Sequence, residues 1–241
     1  MYPTYDPHRT WLQNLQESPA PGTGQVSPVP PFPGQWSWCG IPVESPLGIP
    51  AGPLLNSNWL LYYAQLGFDI LVYKTVRSEA RDCYPLPNLL PVQVPQVSGG
   101  FPSVVPASDQ MQGTWAVSFG MPSLPPEQWR ADVELAANQL PSGKILVVSV
   151  VGSSTATGHR QQSHSSSSRE SVGSAGLSQS GAANHEIERL ANDFALCARW
   201  AVESGAQVVE ANFSCPNVCS ADGQLYQHPE QAAHVAAAIR S

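Results

Sequence analysis

The stretch FDILVYKTV, residues 68–76, is a continuous apolar run with polar residues only near its ends. Such a run predicts a strand buried on both faces, which is typical of a parallel sheet. Three further stretches complete the set. They are SPLGIPAGP at 45–53, KILVVSVVG at 144–152 and AQVVEANFS at 206–214. The sequence therefore predicts four parallel strands.

Helical patterns separate these strands and follow the last one. The predicted helices cover 57–66, 123–140, 186–205 and 228–241, with Ser57 and Gly67 as the expected caps of the first. Alternating strands and helices indicate an α/β fold with a parallel sheet, either a barrel or a doubly wound sheet. No GxGxxG or GxxxxGK[ST] motif follows a strand, so neither a dinucleotide site nor a P-loop is predicted.

Three segments depart from this pattern. Residues 1–40 are rich in Pro and Gly and predict an extended N-terminal arm, which places the barrel-like part at 41–241. Residues 81–113 are expected to be irregular. The Ser-rich stretch at about 153–184 has almost no large apolar residues and predicts a disordered insert.

Composition excludes several classes of protein. The chain has 241 residues, 42% of them apolar and 12% charged, with a net charge of −7. The negative charge argues against a nucleic-acid binder, and the absence of a run of about 18 apolar residues argues against a membrane span. No signal peptide is visible, and the five cysteines show no ligand-like spacing, so we expect reduced thiols and a cytoplasmic location.

Chemically active residue types follow the predicted strands. Ala51 and Gly52 form a strand end poor in side chains, which suits either a flat ligand or a tight turn. Lys74 at the sheet edge either contacts an anionic ligand group, pairs with a local carboxylate, or extends its ammonium into solvent as a snorkelling side chain. The hexapeptide NFSCPN at 212–217 places a thiol between two amides, where Cys215 is either a general base or a buried structural thiol.

These segments resemble the dihydroorotate dehydrogenase family, which consists of flavin-dependent (β/α)8 barrel enzymes. The resemblance rests on EANFSCPN at 210–217 and on the stretch at 49–78, with SFGMPS at 118–123 similar to the family's substrate-covering loop. It extends from about Ile41 to the C-terminus, apart from the insert. It implies an FMN cofactor and oxidation of dihydroorotate to orotate in pyrimidine (UMP) biosynthesis.

The resemblance also implies residue roles. Cys215 would be the active-site base, as in the soluble class of the family, and Lys74 would contact both flavin and substrate. The implied flavin contacts are Ala51, Gly52, Lys74, Thr75 and Asn212. The implied substrate contacts are Lys74, Gly120, Met121, Asn212 and Asn217. No metal is expected, since His228 and His234 have no ligand-like neighbours in the sequence.

One departure leaves alternatives open. Val117 stands where the family usually has Asn, and a valine side chain cannot hydrogen-bond a pyrimidine amide. The alternatives are another flavin oxidoreductase acting on dihydropyrimidines and an inactive barrel fragment. A complete (β/α)8 barrel takes about 250 residues, yet only four strands are predicted before Asn217. We therefore expect this chain to form the first half of a barrel and to bind FMN poorly by itself. Its expected partners are a small-molecule substrate and a second copy of the same chain, with which it would form a homodimer.

Overall fold

The computed structural model describes residues 3–20, 32–94, 104–110, 113–153, 179–214 and 224–241. The strands are β1 Trp36–Trp38, β2 Ile41–Val43, β3 Gly48–Ile49, β4 Ile70–Val76, β5 Leu89–Val92, β6 Thr114–Val117, β7 Ile145–Val150 and β8 Val208–Ala211. The helices are α1 Trp11–Gln16, α2 Ser57–Gln65, α3 Pro126–Gln139, α4 Gln179–Glu203 and α5 Pro229–Arg240, with a 3-10 turn at Leu225–Gln227.

A four-stranded parallel sheet organises the molecule. Its order is β3-β4-β7-β8, and Ile70 pairs with Ile145 while Val147 pairs with Val208. All six residues of β7 are buried, as the continuous apolar run predicts. A helix follows each strand of this sheet, so the prediction of a mixed α/β fold built from β/α units is confirmed.

The main core lies between the sheet and helices α2, α3 and α4. Trp129 and Val133 of α3 and Leu190 and Phe194 of α4 are almost completely buried there. Asp132 of α3 accepts hydrogen bonds from both the backbone amide and the hydroxyl of Ser57, at 2.7 and 2.6 Å. The N-cap of α2 is Asn56 rather than the predicted Ser57, because the Asn56 side chain accepts from the Trp59 amide.

The prediction of an extended arm is wrong for the described residues before 20. Thr10 and Gln13 form a capping box that starts α1, and Trp11 is only 4% exposed within the main core. The side-chain amide of Asn56 donates to the Leu15 carbonyl at 3.0 Å and ties α1 to α2. The high average proline content of residues 1–40 therefore concealed a short capped helix. Residues 21–31 lie outside the described residues.

Two antiparallel hairpins occur where none was predicted. The β1–β2 hairpin lies across the predicted boundary at residue 40. In the β5–β6 hairpin, β5 lies in the stretch expected to be irregular and β6 follows directly after it. In the second hairpin, Pro91 pairs with Trp115 and weakens the strand pattern in the sequence.

The predicted insert at about 153–184 lies mostly outside the described residues. Its end is helical, because α4 begins at Gln179 rather than at residue 186. Among the residues that can be described, no helix is both long and apolar enough to cross a bilayer.

Candidate active site

The carboxyl ends of β4, β7 and β8 meet at one edge of the sheet. Because these strands are neighbours and parallel, Thr75, Ser149 and Asn212 come from distant parts of the sequence to adjacent places. Carboxyl ends of parallel strands are where α/β folds carry their ligands.

A chain of polar side chains links the three strands. The hydroxyls of Thr75 and Ser149 lie 2.9 Å apart, and the Asn212 amide nitrogen donates to Thr75 Oγ1 at 3.2 Å. Ser149 is fully buried, so its hydroxyl depends on this partner. Asn212 Oδ1 accepts from the Ser214 amide at 3.2 Å, which fixes the orientation of the side chain.

Lys74 lies at the same edge and is half-buried. Its backbone amide donates to the Leu54 carbonyl at 2.9 Å, which anchors the end of β4 to the segment before α2. Its side-chain charge acts on Cys83: burial raises the pKa of that thiol to about 11, and Lys74 opposes the increase. The ammonium of Lys74 is thus part of a polar region at the edge of the sheet.

The turn carrying Gly120 and Met121 reaches this edge from the β5–β6 hairpin. Both residues have left-handed backbones, with φ of +74° and +52°. A Cβ on Gly120 would lie 2.6 Å from the Tyr84 ring, so only glycine fits there. Met121 Sδ lies 3.8 Å from the Asn212 amide nitrogen, so the turn contacts the polar chain of β4, β7 and β8 directly.

Several hydrogen bonds hold the segment around this turn. Ser123 exchanges two backbone hydrogen bonds with Arg81, at 2.9 and 3.0 Å. The Tyr84 amide donates to the Phe119 carbonyl at 3.1 Å, and the buried Asn88 side chain donates to the Ser118 carbonyl at 2.9 Å. The loop after β4 therefore supports the SFGMPS segment along most of its length.

Gly52 and Val117 differ in what they offer to a ligand. A Cβ added to Gly52 would meet no described atom within 4 Å, so this turn faces open space. Val117, at the end of β6, is 47% exposed, and its side chain has no hydrogen-bonding group.

A cavity of about 620 Å³ lies farther away, between Trp11 of α1 and the 80–88 loop, not over the strand ends.

One curated relative is similar to this chain. Dihydroorotate dehydrogenase from Dictyostelium discoideum is 30% identical to the chain over 243 residues, which cover 95% of this chain and 57% of the relative. The chain resembles dihydroorotate dehydrogenase along nearly its whole length. It spans just over half the length of the relative it matches. No family model matches the chain.

Solved structures agree at the level of the fold. Two crystal structures of DHODH from Eimeria tenella, one in complex with ferulenol and one ligand-free, match with TM-scores of 0.56 and 0.54. Each is 12% identical and covers 86% of this chain, but only 43% and 45% of its own chain is matched. The β/α units described here are therefore consistent with part of a (β/α)8 barrel.

The structure brings together part of the predicted site. Thr75, Asn212 and Met121 make direct contacts, while Lys74 and Gly120 belong to the same strand end and the same turn. Ala51 and Gly52 follow β3, the neighbour of β4 in the sheet. Cys215 and Asn217 lie outside the described residues, so their predicted roles stay predictions.

Sequence reasoning missed Ser149 and Arg77. Ser149 lies inside KILVVSVVG, where a lone serine among buried apolar residues was the available signal of a polar contact across strands. Arg77 is buried at the end of β4, although an arginine after a strand usually indicates a solvated position. Three described cysteines, Cys39, Cys83 and Cys197, are free thiols.

Proposed function

We propose that the chain forms part of a flavin-dependent oxidoreductase that converts dihydroorotate to orotate in pyrimidine (UMP) biosynthesis. The observation that carries the proposal is the contact of Asn212 with both Thr75 and Met121 at the carboxyl edge of the sheet. It joins two predicted flavin contacts to a predicted substrate contact in a chain that resembles dihydroorotate dehydrogenase.

The residues at this edge suit a flat ligand with a polar rim. Gly52 faces open space, so a ring system could approach the backbone there. Lys74, Thr75 and Asn212 supply a cation, a hydroxyl and an amide, which match the carbonyl and ring-nitrogen groups of FMN. Bound FMN would supply the acceptor for the hydride that leaves C6 of dihydroorotate.

The chain's own residues would bind the substrate and move the proton. The backbone of Gly120 and Met121 and the amides of Asn212 and Asn217 would orient the pyrimidine. Cys215, as thiolate, would take the proton from C5 as the C6–H bond breaks, leaving a C5=C6 double bond. The positive charge of Lys74 would favour the negative charge that develops on the ligands.

Val117 favours a second candidate, another flavin oxidoreductase that acts on dihydropyrimidines. The side chain at this place cannot donate to or accept from a pyrimidine amide. Dihydroorotate bound with its ring amide at this place would leave that group unsatisfied at a cost of about 1–3 kcal/mol, which a dihydropyrimidine held differently in the site would avoid.

Anaerobic mixing tests the proposal. The full-length protein of which the chain is proposed to form part is purified, loaded with FMN and mixed with dihydroorotate, and the visible absorbance of the flavin is followed. We expect bleaching that C215S slows strongly near neutral pH, because a hydroxyl is a poorer base than a thiol. The matched control is C39S, which removes an exposed thiol on the β1–β2 hairpin and is expected to leave the rate unchanged.

The outcomes separate the candidates. Reduction by dihydrouracil but not by dihydroorotate favours the dihydropyrimidine alternative. Bound flavin that stays oxidised with both substrates excludes the two oxidoreductase assignments for this chain, and failure to bind FMN supports the inactive barrel fragment. A cytoplasmic location and a homodimer are parts of the same proposal, the second measurable by sedimentation equilibrium.

A further inference from the structure

Arg77 is the residue directly after β4, and it is 2% exposed. A guanidinium keeps its charge at any physiological pH, so burying it requires several hydrogen-bond acceptors around it. An arginine held in this way is a fixed part of the structure, not a solvated side chain.

The acceptors of Arg77 come from two other segments. Its Nε donates to the Met121 carbonyl at 3.3 Å, within the left-handed Gly120–Met121 turn. Its Nη1 donates to Ser153 Oγ at 3.0 Å and, less closely, to the Gly152 carbonyl at 3.4 Å. One planar group therefore joins the Gly120–Met121 turn to the end of β7.

The main chain of Arg77 strengthens the same connection. Its amide donates to Ser123 Oγ at 3.1 Å, and its carbonyl accepts from the Trp129 indole at 3.0 Å. Arg77 is thus bonded on both sides of Pro122, to Met121 and to Ser123. The segment from the turn to the start of α3 takes its position from this residue.

The segment after β7 is fixed in turn by α4. The Ser153 amide donates to Asp193 Oδ2 at 2.7 Å. Cys197, one turn farther along α4, is fully buried and its pKa is raised to about 12, first by burial and then by Asp193, with Arg77 opposing the increase. Ser153 therefore links the two residues, since its hydroxyl accepts from Arg77 and its amide donates to Asp193.

We propose that Arg77 is a positioning residue that holds the Gly120–Met121 turn against the ends of β4 and β7, and so sets the substrate-binding backbone relative to Thr75 and Asn212. The role rests on the proposed function, because it concerns the substrate contacts of that site. Lysine cannot replace it, since one ammonium lacks the planar fork that reaches two carbonyls and a hydroxyl in different directions.

Hydrogen–deuterium exchange of the chain without ligand tests the placement itself. We expect R77K to increase the exchange rate of the amides at 118–123 at least about tenfold, while the amides of β7 stay protected. S153A removes one hydrogen-bond acceptor of Arg77 and leaves Arg77 itself unchanged, so we expect a smaller increase in the exchange rate of the same amides. The control is R130K, because Arg130 is an exposed arginine paired with Glu203. Unchanged exchange at 118–123 in both R77K and S153A overturns the proposal.

Ligand binding separates positioning from general stability. We expect R77K to weaken orotate binding to the FMN-loaded full-length protein about tenfold while FMN affinity changes less than about twofold. In R77A, low concentrations of guanidinium chloride should restore orotate binding, whereas sodium chloride at equal ionic strength should not. Equal losses of FMN and orotate affinity, without rescue, would assign Arg77 to stability alone and overturn the proposal.

The exchange experiment also keeps the two proposals apart. If the unaltered full-length protein binds neither FMN nor orotate, the proposed function fails, but the effect of R77K on residues 118–123 still decides whether Arg77 holds the turn. If the unaltered full-length protein binds both and R77K changes neither exchange nor orotate affinity, only the role of Arg77 is lost.

Discussion

Lys144 and Asp69 form an ion pair at the amino ends of β7 and β4, with the Asp69 side chain 2% exposed. Lys144 also donates to the Phe68 carbonyl at 3.2 Å. The chain has only two lysines, and they lie at opposite ends of the same pair of strands. Lys144 neutralises a buried carboxylate at one end, and Lys74 lies at the end where the ligand is proposed.

Replacing Lys144 by methionine should destabilise the protein strongly. The substitution leaves the Asp69 carboxylate buried without its cation, which costs about 3 kcal/mol of the free energy of unfolding. Urea unfolding of K144M measures the loss. R130M is the matched control, because Arg130 and Glu203 form an exposed pair expected to contribute less than about 1 kcal/mol. Equal losses in the two variants would contradict the assignment of Lys144 to a buried pair.

Asp132 should be a stability residue of the helix layer. It accepts two hydrogen bonds from Ser57 and one from the buried Tyr73 hydroxyl at 2.7 Å. D132A leaves that hydroxyl without its acceptor, so we expect a loss of about 2 kcal/mol in thermal or urea unfolding. E134A, an exposed change on the same helix, should have almost no effect. A D132A protein as stable as E134A would show that the Asp132 hydrogen bonds do not contribute.

Burial and charge hold the pKa of the Tyr73 phenol well above its usual value, with Asp132 the charged contributor. The phenol should therefore stay protonated when the pH is raised to 10. Ultraviolet difference spectra of the unaltered protein and of Y73F measure this. We expect the two proteins to develop the same tyrosinate absorbance up to pH 10, because Tyr73 does not ionise in that range. A smaller tyrosinate signal in Y73F would show that Tyr73 ionises normally.

Gly120 should be intolerant of alanine for two separable reasons. Its φ of +74° strains any residue with a Cβ, and the added Cβ meets the Tyr84 ring at 2.6 Å. Gly40 has a similar φ of +79° but open space around it, so G40A measures backbone strain alone, about 1 kcal/mol. We expect G120A to lose about 2 kcal/mol more and to weaken orotate binding. Equal effects of G40A and G120A would exclude the clash with Tyr84.

The described cysteines should differ sharply in reactivity. With a pKa of about 12, Cys197 is thiolate in only about 1 molecule in 10,000 at pH 8, and Cys83, with a pKa of about 11, in about 1 in 1,000. Iodoacetamide followed by peptide mass spectrometry should label the exposed Cys39 and leave Cys197 unmodified. Rapid labelling of Cys197 in the folded protein would contradict its burial. The same map reports the accessibility of Cys215.

The parallel strands could be predicted because a strand that is buried on both faces needs apolar residues at almost every position. FDILVYKTV and KILVVSVVG identify β4 and β7 to within two residues at each end, and Thr75 and Asn212 follow as residues of one sheet edge. What could not be predicted depends on contacts between distant segments. Arg77 has no local feature that distinguishes it from a solvated arginine, since its acceptors lie 44 to 76 residues away.

The errors near the N-terminus have a different cause. Average composition over residues 1–40 is dominated by the prolines after residue 18, and it conceals the capping box of Thr10 and Gln13. A window of a few residues around Thr10 contains the signal that the longer average removes. The β5–β6 hairpin was missed for a similar reason, since Pro91 interrupts an otherwise ordinary strand.

Trp11 has a practical consequence for anyone who expresses this protein. The low-complexity stretch before Ile41 invites trimming at that residue, yet the cut would remove an indole packed in the main core and the partner that the Asn56 side chain contacts at Leu15. A version beginning at residue 41 would expose the apolar side chains beside α2 that Trp11 covers. Poor solubility of such a version would then reflect where it was cut, not an intrinsic failure of the β/α units to fold.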